Sequence, residues 1–105
     1  MNLMILNVNK HLQKISQIVE TYESGAFKDL QQMHRELTCS MYYLTIEQVR
    51  YNQKWNQEYY KHNSTVNAIK ERHANKEVPE LYMIRKVLEA AKSVSISIGY
   101  EIKLN

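Results

Sequence analysis

The apolar and aromatic residues between Asp29 and Asn75 recur at intervals of three and four, with no Pro or Gly to interrupt them. This spacing places them on one face of an α-helix. A continuous helix of this length would extend roughly 70 Å at about 1.5 Å per residue. Its weakest point is Asn63-Ser64-Thr65, because these side chains compete for backbone hydrogen bonds. The pattern predicts one long central helix, with a break at these residues as the alternative.

A shorter amphipathic segment precedes this helix. Apolar residues from Ile5 to Tyr22 also step by three and four, which predicts a first helix. The alternation over Leu6-Asn7-Val8-Asn9 permits a short strand instead. Ser24-Gly25 should end the helix, because Gly adopts the left-handed C-terminal conformation at little cost. The short connection predicts an antiparallel second helix.

The C-terminal third carries two overlapping patterns. Pro79 suits the first turn of a helix, and a heptad seam of apolar and small residues follows it. From Val94 onward, however, β-branched residues alternate strictly with polar ones, which is typical of a strand. We predict a helix that stops at Gly99, followed by an extended tail over Tyr100 to Leu104. If that tail forms a strand, it needs a partner strand, either Leu3 to Val8 or another subunit.

These elements define an all-α fold, since two Gly and one Pro are too few for a β-rich chain with many turns. We expect a single domain, residues 1–105, in a three-helix antiparallel arrangement with helices at about 3–23, 27–75 and 79–98. A small helical chain buries little surface alone, so we expect a homo-oligomer. The residues predicted to form the oligomer interface are those of the C-terminal seam: Leu81, Ile84, Leu88, Ala91, Ser95 and Ile98.

The chain carries one Cys and no segment that resembles a leader or a membrane span. Cys39 lies beside the seam and should be a small buried group in a reducing compartment. The expected location is therefore the cytoplasm, with no membrane contact.

Positive charge is concentrated in one part of the chain. Residues Arg50 to Lys76 include six basic against two acidic side chains, whereas the flanking parts are nearly balanced. Cations beside aromatic rings suit single-stranded nucleic acid, because they neutralise phosphates while the rings stack on bases. Core packing of the rings and a solvated basic face are the alternatives. The predicted nucleic-acid-binding residues are Arg50, Lys54, Tyr59, Tyr60, Lys61, Arg72 and Lys76.

Catalytic patterns are missing from the sequence. We find no Gly-rich phosphate loop, nucleophile elbow or paired-His helix motif, and no set of acids placed for acid–base work. On a continuous helix, His62 and His73 would lie three turns apart, too far to share an ion. We therefore predict a non-enzymatic protein without metal or cofactor.

Three stretches resemble the small helical recombination-mediator proteins of tailed phages. They are Tyr42-Tyr43-Leu44-Thr45, the run from Trp55 to Lys61, and a terminal helix ending in Gly99-Tyr100-Glu101-Ile102-Lys103. The resemblance covers about Leu37 to Lys103. It implies binding of single-stranded DNA, ring assembly through the C-terminal helix, and loading of a recombinase onto DNA coated by a single-strand-binding protein.

Two other classes remain open from the residues. A helical protein–protein module, such as an inhibitor, adaptor or virion component, would use the Tyr-rich surface as its binding hot spot. A purely structural coiled-coil oligomer would have no ligand.

Overall fold

A computed structural model describes residues 3–26 and 29–104. In this part the chain forms four helices, α1 (Leu3–Ser24), α2 (Leu30–Lys61), α3 (Asn67–Glu77) and α4 (Glu80–Leu104). The all-α class is confirmed, with four helices in place of the three predicted. The strand alternative near the N-terminus is wrong, since α1 is helical there.

The turn between α1 and α2 follows local sequence signals. Gly25 has a φ of +75°, and its N–H donates to Tyr22 O while Ala26 N–H donates to Thr21 O. These two bonds make a Schellman motif, which satisfies the last carbonyls of α1. Asp29 then caps α2 by accepting from the Gln32 N–H at 3.1 Å.

The predicted continuous helix over 27–75 is wrong, and the chain breaks at the residues identified as its weakest point. In the linker, residues 62–66, Ser64 N–H donates to His62 Nδ1 at 3.0 Å. Val66 N–H donates to Ser64 Oγ, also at 3.0 Å. Side-chain acceptors thus replace the helical carbonyls, which is the competition expected of polar residues in a helix interior.

After the break the chain runs back along α2. Hydrogen bonds join Tyr59 of α2 to Asn67 of α3 and His34 of α2 to Ser95 of α4. Residue numbers therefore fall along α2 as they rise along α3 and α4. Both later helices are antiparallel to α2. Helix α3 lies along the end of α2, from Trp55 to Tyr59, α4 lies along the part up to Asn52, and Pro79 is between α3 and α4.

The core lies where α1, α4 and the part of α2 up to Tyr51 meet, a region we call the body. Ile15, Leu37, Leu44, Ile84 and Ile98 are almost completely buried there. Each contributes roughly 1.5–3 kcal/mol by leaving water.

Polar contacts join the helices of the body. His11 Nδ1 lies 3.0 Å from Ser40 Oγ, and its ring stacks on Tyr43 at 4.2 Å between centroids. Burial and the nearby charges of Lys10 and Lys14 lower the pKa of His11. At the far end of the body, a second contact links α1 to α4.

That contact bears on the C-terminal tail, where the prediction of an extended segment after Gly99 is wrong. Helix α4 continues through Gly99 to Leu104. The Tyr22 hydroxyl donates to Glu101 Oε1 at 2.8 Å, and Ile102 packs against the core. These contacts hold the last turns on the body, and tertiary packing overrides the β propensity of the alternating residues.

Cys39 is also placed differently from the prediction, because its side chain is exposed. The buried residues on either side are Leu37 and Ser40. An α-helix turns by about 100° per residue, so Cys39 faces away from the side that these two share.

Candidate nucleic-acid interface

The predicted binding residues lie mainly on a two-helix arm. We define the arm as Asn52–Lys61 of α2, the linker and α3. Polar pairs join its helices: Trp55 Nε1 donates to Asn75 Oδ1 at 2.8 Å, and Tyr59 OH donates to Asn67 Oδ1 at 3.0 Å. Only Ala74 is fully buried within α3. Pairing of side-chain hydrogen bonds, more than apolar burial, therefore holds α3 against α2.

The aromatic residues differ in their availability to a ligand. Tyr51 is only 3 % exposed and belongs to the core. Trp55 and Tyr59 are half-buried and stack on each other with centroids 5.3 Å apart. Tyr60 packs edge-on against Tyr59 but is 77 % exposed. Tyr60 is thus the predicted ring with the most open surface.

Tyr51 also shows the electrostatics of the junction between body and arm. Burial raises the pKa of Tyr51, and the carboxylates of Glu80 and Glu47 and the nearby Tyr43 raise it further. Its hydroxyl therefore stays neutral at physiological pH, and Tyr51 is a packing residue.

Arg50 has a structural partner. Its guanidinium lies 3.3 Å from Oε1 of Glu47, and Glu47 is 2 % exposed. The other oxygen, Oε2, has no hydrogen-bond partner among the described atoms. A carboxylate buried in this way needs a nearby cation, so Arg50 is committed to Glu47.

The other predicted cations on α2 have no carboxylate within 4.0 Å in the described part of the chain. Lys54 is exposed, with Nζ 4.9 Å from the Tyr51 ring centroid. Lys61 is exposed at the end of α2. Both ammonium groups stay at the surface, where a phosphate can reach them.

The cations of α3 do not lie in line with Lys54 and Lys61 of α2, as they would on one continuous helix. Arg72 and Lys76 are exposed and lie two residues on either side of the buried Ala74. Two residues correspond to about 200° of helical rotation, so both face away from α2. Lys70, which was not among the predicted residues, is brought over Tyr59 at 5.3 Å from its centroid.

The break also brings together two histidines that a continuous helix would keep apart. The rings of His62 and His73 have centroids 4.8 Å apart, and His73 Nε2 lies 3.0 Å from Glu58 Oε2. A cleft of about 460 Å³ opens beside them, lined also by Lys61, Asn63 and Glu77. The described residues nevertheless include no group of three or more side chains able to hold a metal ion.

The residues predicted to form an oligomer interface are largely used within the chain. Leu81, Ile84, Ala91 and Ile98 are buried in the body. Leu88 and Ser95 are half-buried, and Ser95 Oγ contacts His34. Oligomerisation stays a prediction, and it would need surface other than those four buried residues.

A different surface on α2 is open. Tyr42, Ile46 and Val49 are 70 %, 43 % and 57 % exposed. Their spacing of four and three places them on one side of the helix. Between Leu37 and Lys54 the only charged residues are Glu47 and Arg50, which pair with each other. We call Tyr42, Ile46 and Val49 the uncharged strip.

Comparisons with protein-family models, curated proteins and solved structures gave no match. Among the described helices, none has both the length and the apolar character required to cross a bilayer.

Proposed function

We propose that this chain is a non-enzymatic helical protein that binds single-stranded nucleic acid through its arm. The observation that carries the proposal is the charge of the arm. Lys54, Lys61, Arg72 and Lys76 are all exposed, and none is within 4.0 Å of a carboxylate in the described part of the chain. Unpaired cations on two adjacent helices produce a positive field that attracts a phosphate backbone.

The aromatic surface favours single strands as the ligand. Tyr60 is exposed on the same arm, and a base freed from pairing can stack on such a ring. The half-buried Trp55 and Tyr59 support Tyr60 through their mutual stacking. Arg50 makes a smaller contribution in this proposal, since Glu47 already neutralises it.

Because Arg72 and Lys76 face away from α2, a bound strand would have to curve around the arm to reach all four cations. A flexible single strand can follow such a path more easily than a duplex, whose persistence length is about 50 nm. The proposal therefore predicts a preference for single-stranded over double-stranded oligonucleotides.

The resemblance to phage recombination mediators suggests a biological setting. In that setting the chain would act as a recombination or replication accessory that assembles as a homo-oligomer and meets a recombinase or a single-strand-binding protein. Mass measurement of the assembly, with and without an oligonucleotide, tests the oligomeric part.

Fluorescence anisotropy with a labelled oligonucleotide tests the binding. With four phosphate contacts, log Kd should rise with log salt with a slope of about 2.8, at about 0.7 per contact for single strands. Lys54→Ala plus Lys61→Ala should lower that slope by about 1.4. A matched control, Lys10→Ala plus Lys14→Ala, removes two exposed cations from α1 and should leave the slope unchanged.

The Tyr60 contribution is tested separately. Tyr60→Ala should weaken binding by about 1–3 kcal/mol if one base stacks on the ring, whereas Tyr60→Phe should keep most of the affinity. Absence of binding at low salt, or equal losses in the Lys10/Lys14 control, would reject the proposal.

A second function has one observation in its favour. The uncharged strip is apolar and lacks the charged residues that are depleted from protein–protein interface cores. It suits a helical protein-interaction module of the inhibitor, adaptor or virion type, without nucleic-acid binding. Tyr42→Glu should abolish capture of a protein partner in that case and leave oligonucleotide affinity unaffected.

A further inference from the structure

An imidazole fastens the linker between α2 and α3. His62 Nδ1 accepts from Ser64 N–H, the position at which an Asn side chain would act in an Asx turn. Ser64 Oγ in turn accepts from Val66 N–H. Val66 is the N-cap residue of α3 and provides no side-chain cap of its own. Two successive hydrogen bonds thus connect His62 to the N-cap residue of α3, beside the Tyr59–Asn67 bond at the first residue of the helix.

This arrangement requires one protonation state of His62. Nδ1 can accept only while it carries no proton, so the ring must be neutral with its proton on Nε2. An imidazolium carries N–H groups at both positions, and its Nδ1–H would face Ser64 N–H, donor against donor. Imidazoles change charge between about pH 5 and 8.

We propose that residues 62–66 are a pH-sensitive latch, in which protonation of His62 releases Ser64 and allows α3 to separate from α2. Protons bind preferentially to the released form, because the closed form has no place for the second proton. Acidification therefore favours release. The proposal does not depend on nucleic-acid binding.

The charged groups around His62 influence whether the closed or the released form of the arm is favoured. On α2 these are Glu58 and Lys61, and on α3 they are His73 and Glu77, which line the same cleft. Protonation of His73 would strengthen its contact with Glu58 and favour the closed arm. That pair is more than a quarter exposed on both sides, so solvent screens its attraction.

Other charged groups also lie near His62 in the closed arm. Lys61 is cationic, Glu58 and Glu77 are acidic residues of the same cleft, and the His73 ring lies 4.8 Å away between centroids. The described lining of the cleft includes no residue of α1 or α4. The two histidines thus respond to acid in opposite directions, and only His62 holds the linker through its neutral form.

Release would have a specific spectroscopic signature. Trp55 is the only Trp in the chain, and its indole N–H donates across the arm to Asn75 of α3. A single indole signal therefore reports whether α3 is docked. The Ser64 amide reports the latch bond itself.

A nitrogen-15 NMR titration of the whole chain from pH 8 to 5 tests the proposal. At pH 8 the His62 ring should be in the Nε2–H tautomer. As His62 protonates, the Ser64 amide and Trp55 indole signals should shift with the same midpoint, and Trp55 emission should move to the red. Titration of His11 in the body is resolved by its own ring signals.

Two variants separate the histidines. His62→Asn keeps an acceptor for the N–H two residues on but removes the titrating group, so Ser64 and Trp55 signals should not shift with pH. His73→Gln removes the other imidazole as a matched control. In this variant the Ser64 and Trp55 signals should still shift with pH.

Several results would overturn the latch. These are an Nδ1–H tautomer at pH 8, a ring that stays neutral down to pH 5, or a Trp55 signal that does not move as His62 protonates. A pH transition that persists in His62→Asn would overturn it too. If His62→Asn fails to fold by circular dichroism, the tautomer and the midpoints in the unmodified chain decide alone.

Discussion

Replacing Gly99 by Ala should stabilise the protein, because Gly99 lies inside a helix. Helix α4 continues from Gly99 to Leu104, and a Cβ built at Gly99 meets no atom within 4 Å. The substitution therefore brings no steric clash and little new burial. Its effect should be the difference in backbone freedom between Gly and Ala in a helix interior.

That difference is about 0.8–1.0 kcal/mol in favour of Ala. With a urea dependence of about 1.5 kcal/mol per M, typical of a small domain, the unfolding midpoint should rise by about 0.6 M. The melting temperature should rise by about 4 °C. Urea titration followed by circular dichroism at 222 nm measures the first quantity, and a thermal scan measures the second.

The other Gly of the chain is a matched control with the opposite sign. Gly25 has a φ of +75° in the turn after α1, where a Cβ crowds the following carbonyl. Gly25→Ala should cost about 1–2 kcal/mol, although a Cβ there also meets no neighbouring atom within 4 Å. The two substitutions thus differ in backbone conformation and not in available space.

An unchanged or lowered midpoint for Gly99→Ala would contradict a helical C-terminus. In an extended tail that starts at Gly99, Ala has no helix to favour. A stabilising Gly25→Ala would likewise contradict the left-handed turn.

Further predictions concern the core, the ion pair between the exposed Arg50 and the buried Glu47, and pH. Leu44 is fully buried, so Leu44→Ala should cost about 2–5 kcal/mol, whereas Tyr42→Ala on the exposed face should stay within about 0.5 kcal/mol. Both are measured by urea titration, and equal effects would refute the placement of the core. Arg50→Ala should cost about 1–3 kcal/mol because the buried Glu47 carboxylate loses its cation. A neutral result in the same assay would refute a stabilising role for the Arg50–Glu47 pair. The pKa of His11 is lowered in the folded chain by burial and by Lys10 and Lys14, so the unfolded chain binds the proton more strongly. The free energy of unfolding should therefore fall as pH drops below about 6.5. Urea midpoints at pH 8 and 5 measure this loss, which should be smaller in His11→Gln. An equal loss in His11→Gln would show that His11 does not cause the pH dependence.

Much of the body follows from hydrophobic spacing. Leu37, Leu44, Leu81, Ile84 and Ile98 lie on the predicted seams, and all are buried. Spacing alone does not say which other helix covers a seam. The α4 seam faces α1 and α2 of the same chain, because the break after Lys61 lets the chain return along α2.

The errors at the two ends of the C-terminal half have different physical causes. At Asn63-Ser64-Thr65 local side-chain hydrogen bonds prevail over a helical pattern. These residue types are known to compete for backbone hydrogen bonds, so the break could be anticipated from the sequence. At Gly99 the reverse occurs. A local stop signal and β-branched alternation yield to packing by Ile102 and to the Tyr22–Glu101 contact, which no local pattern reveals.

Part of the candidate site could likewise be predicted from the sequence, and part of it depends on the break in the helix. The exposure of Lys54 and Lys61 could be predicted from their place beside the seam. Three other features depend on where the helix breaks. Arg72 faces away from α2, Lys70 lies over Tyr59, and His62 contacts His73. A prediction of one continuous helix therefore could not identify these features.

The scarcity of apolar burial in α3 has a consequence for how the molecule unfolds. Segments with few buried apolar contacts open at a lower free energy than the core. Backbone amide protons over Asn67–Glu77 should exchange with deuterated solvent sooner than those around Leu37 and Leu44, and proteases should cut near Asn63 first. The arm would then unfold as a separate cooperative unit, while the body remains folded.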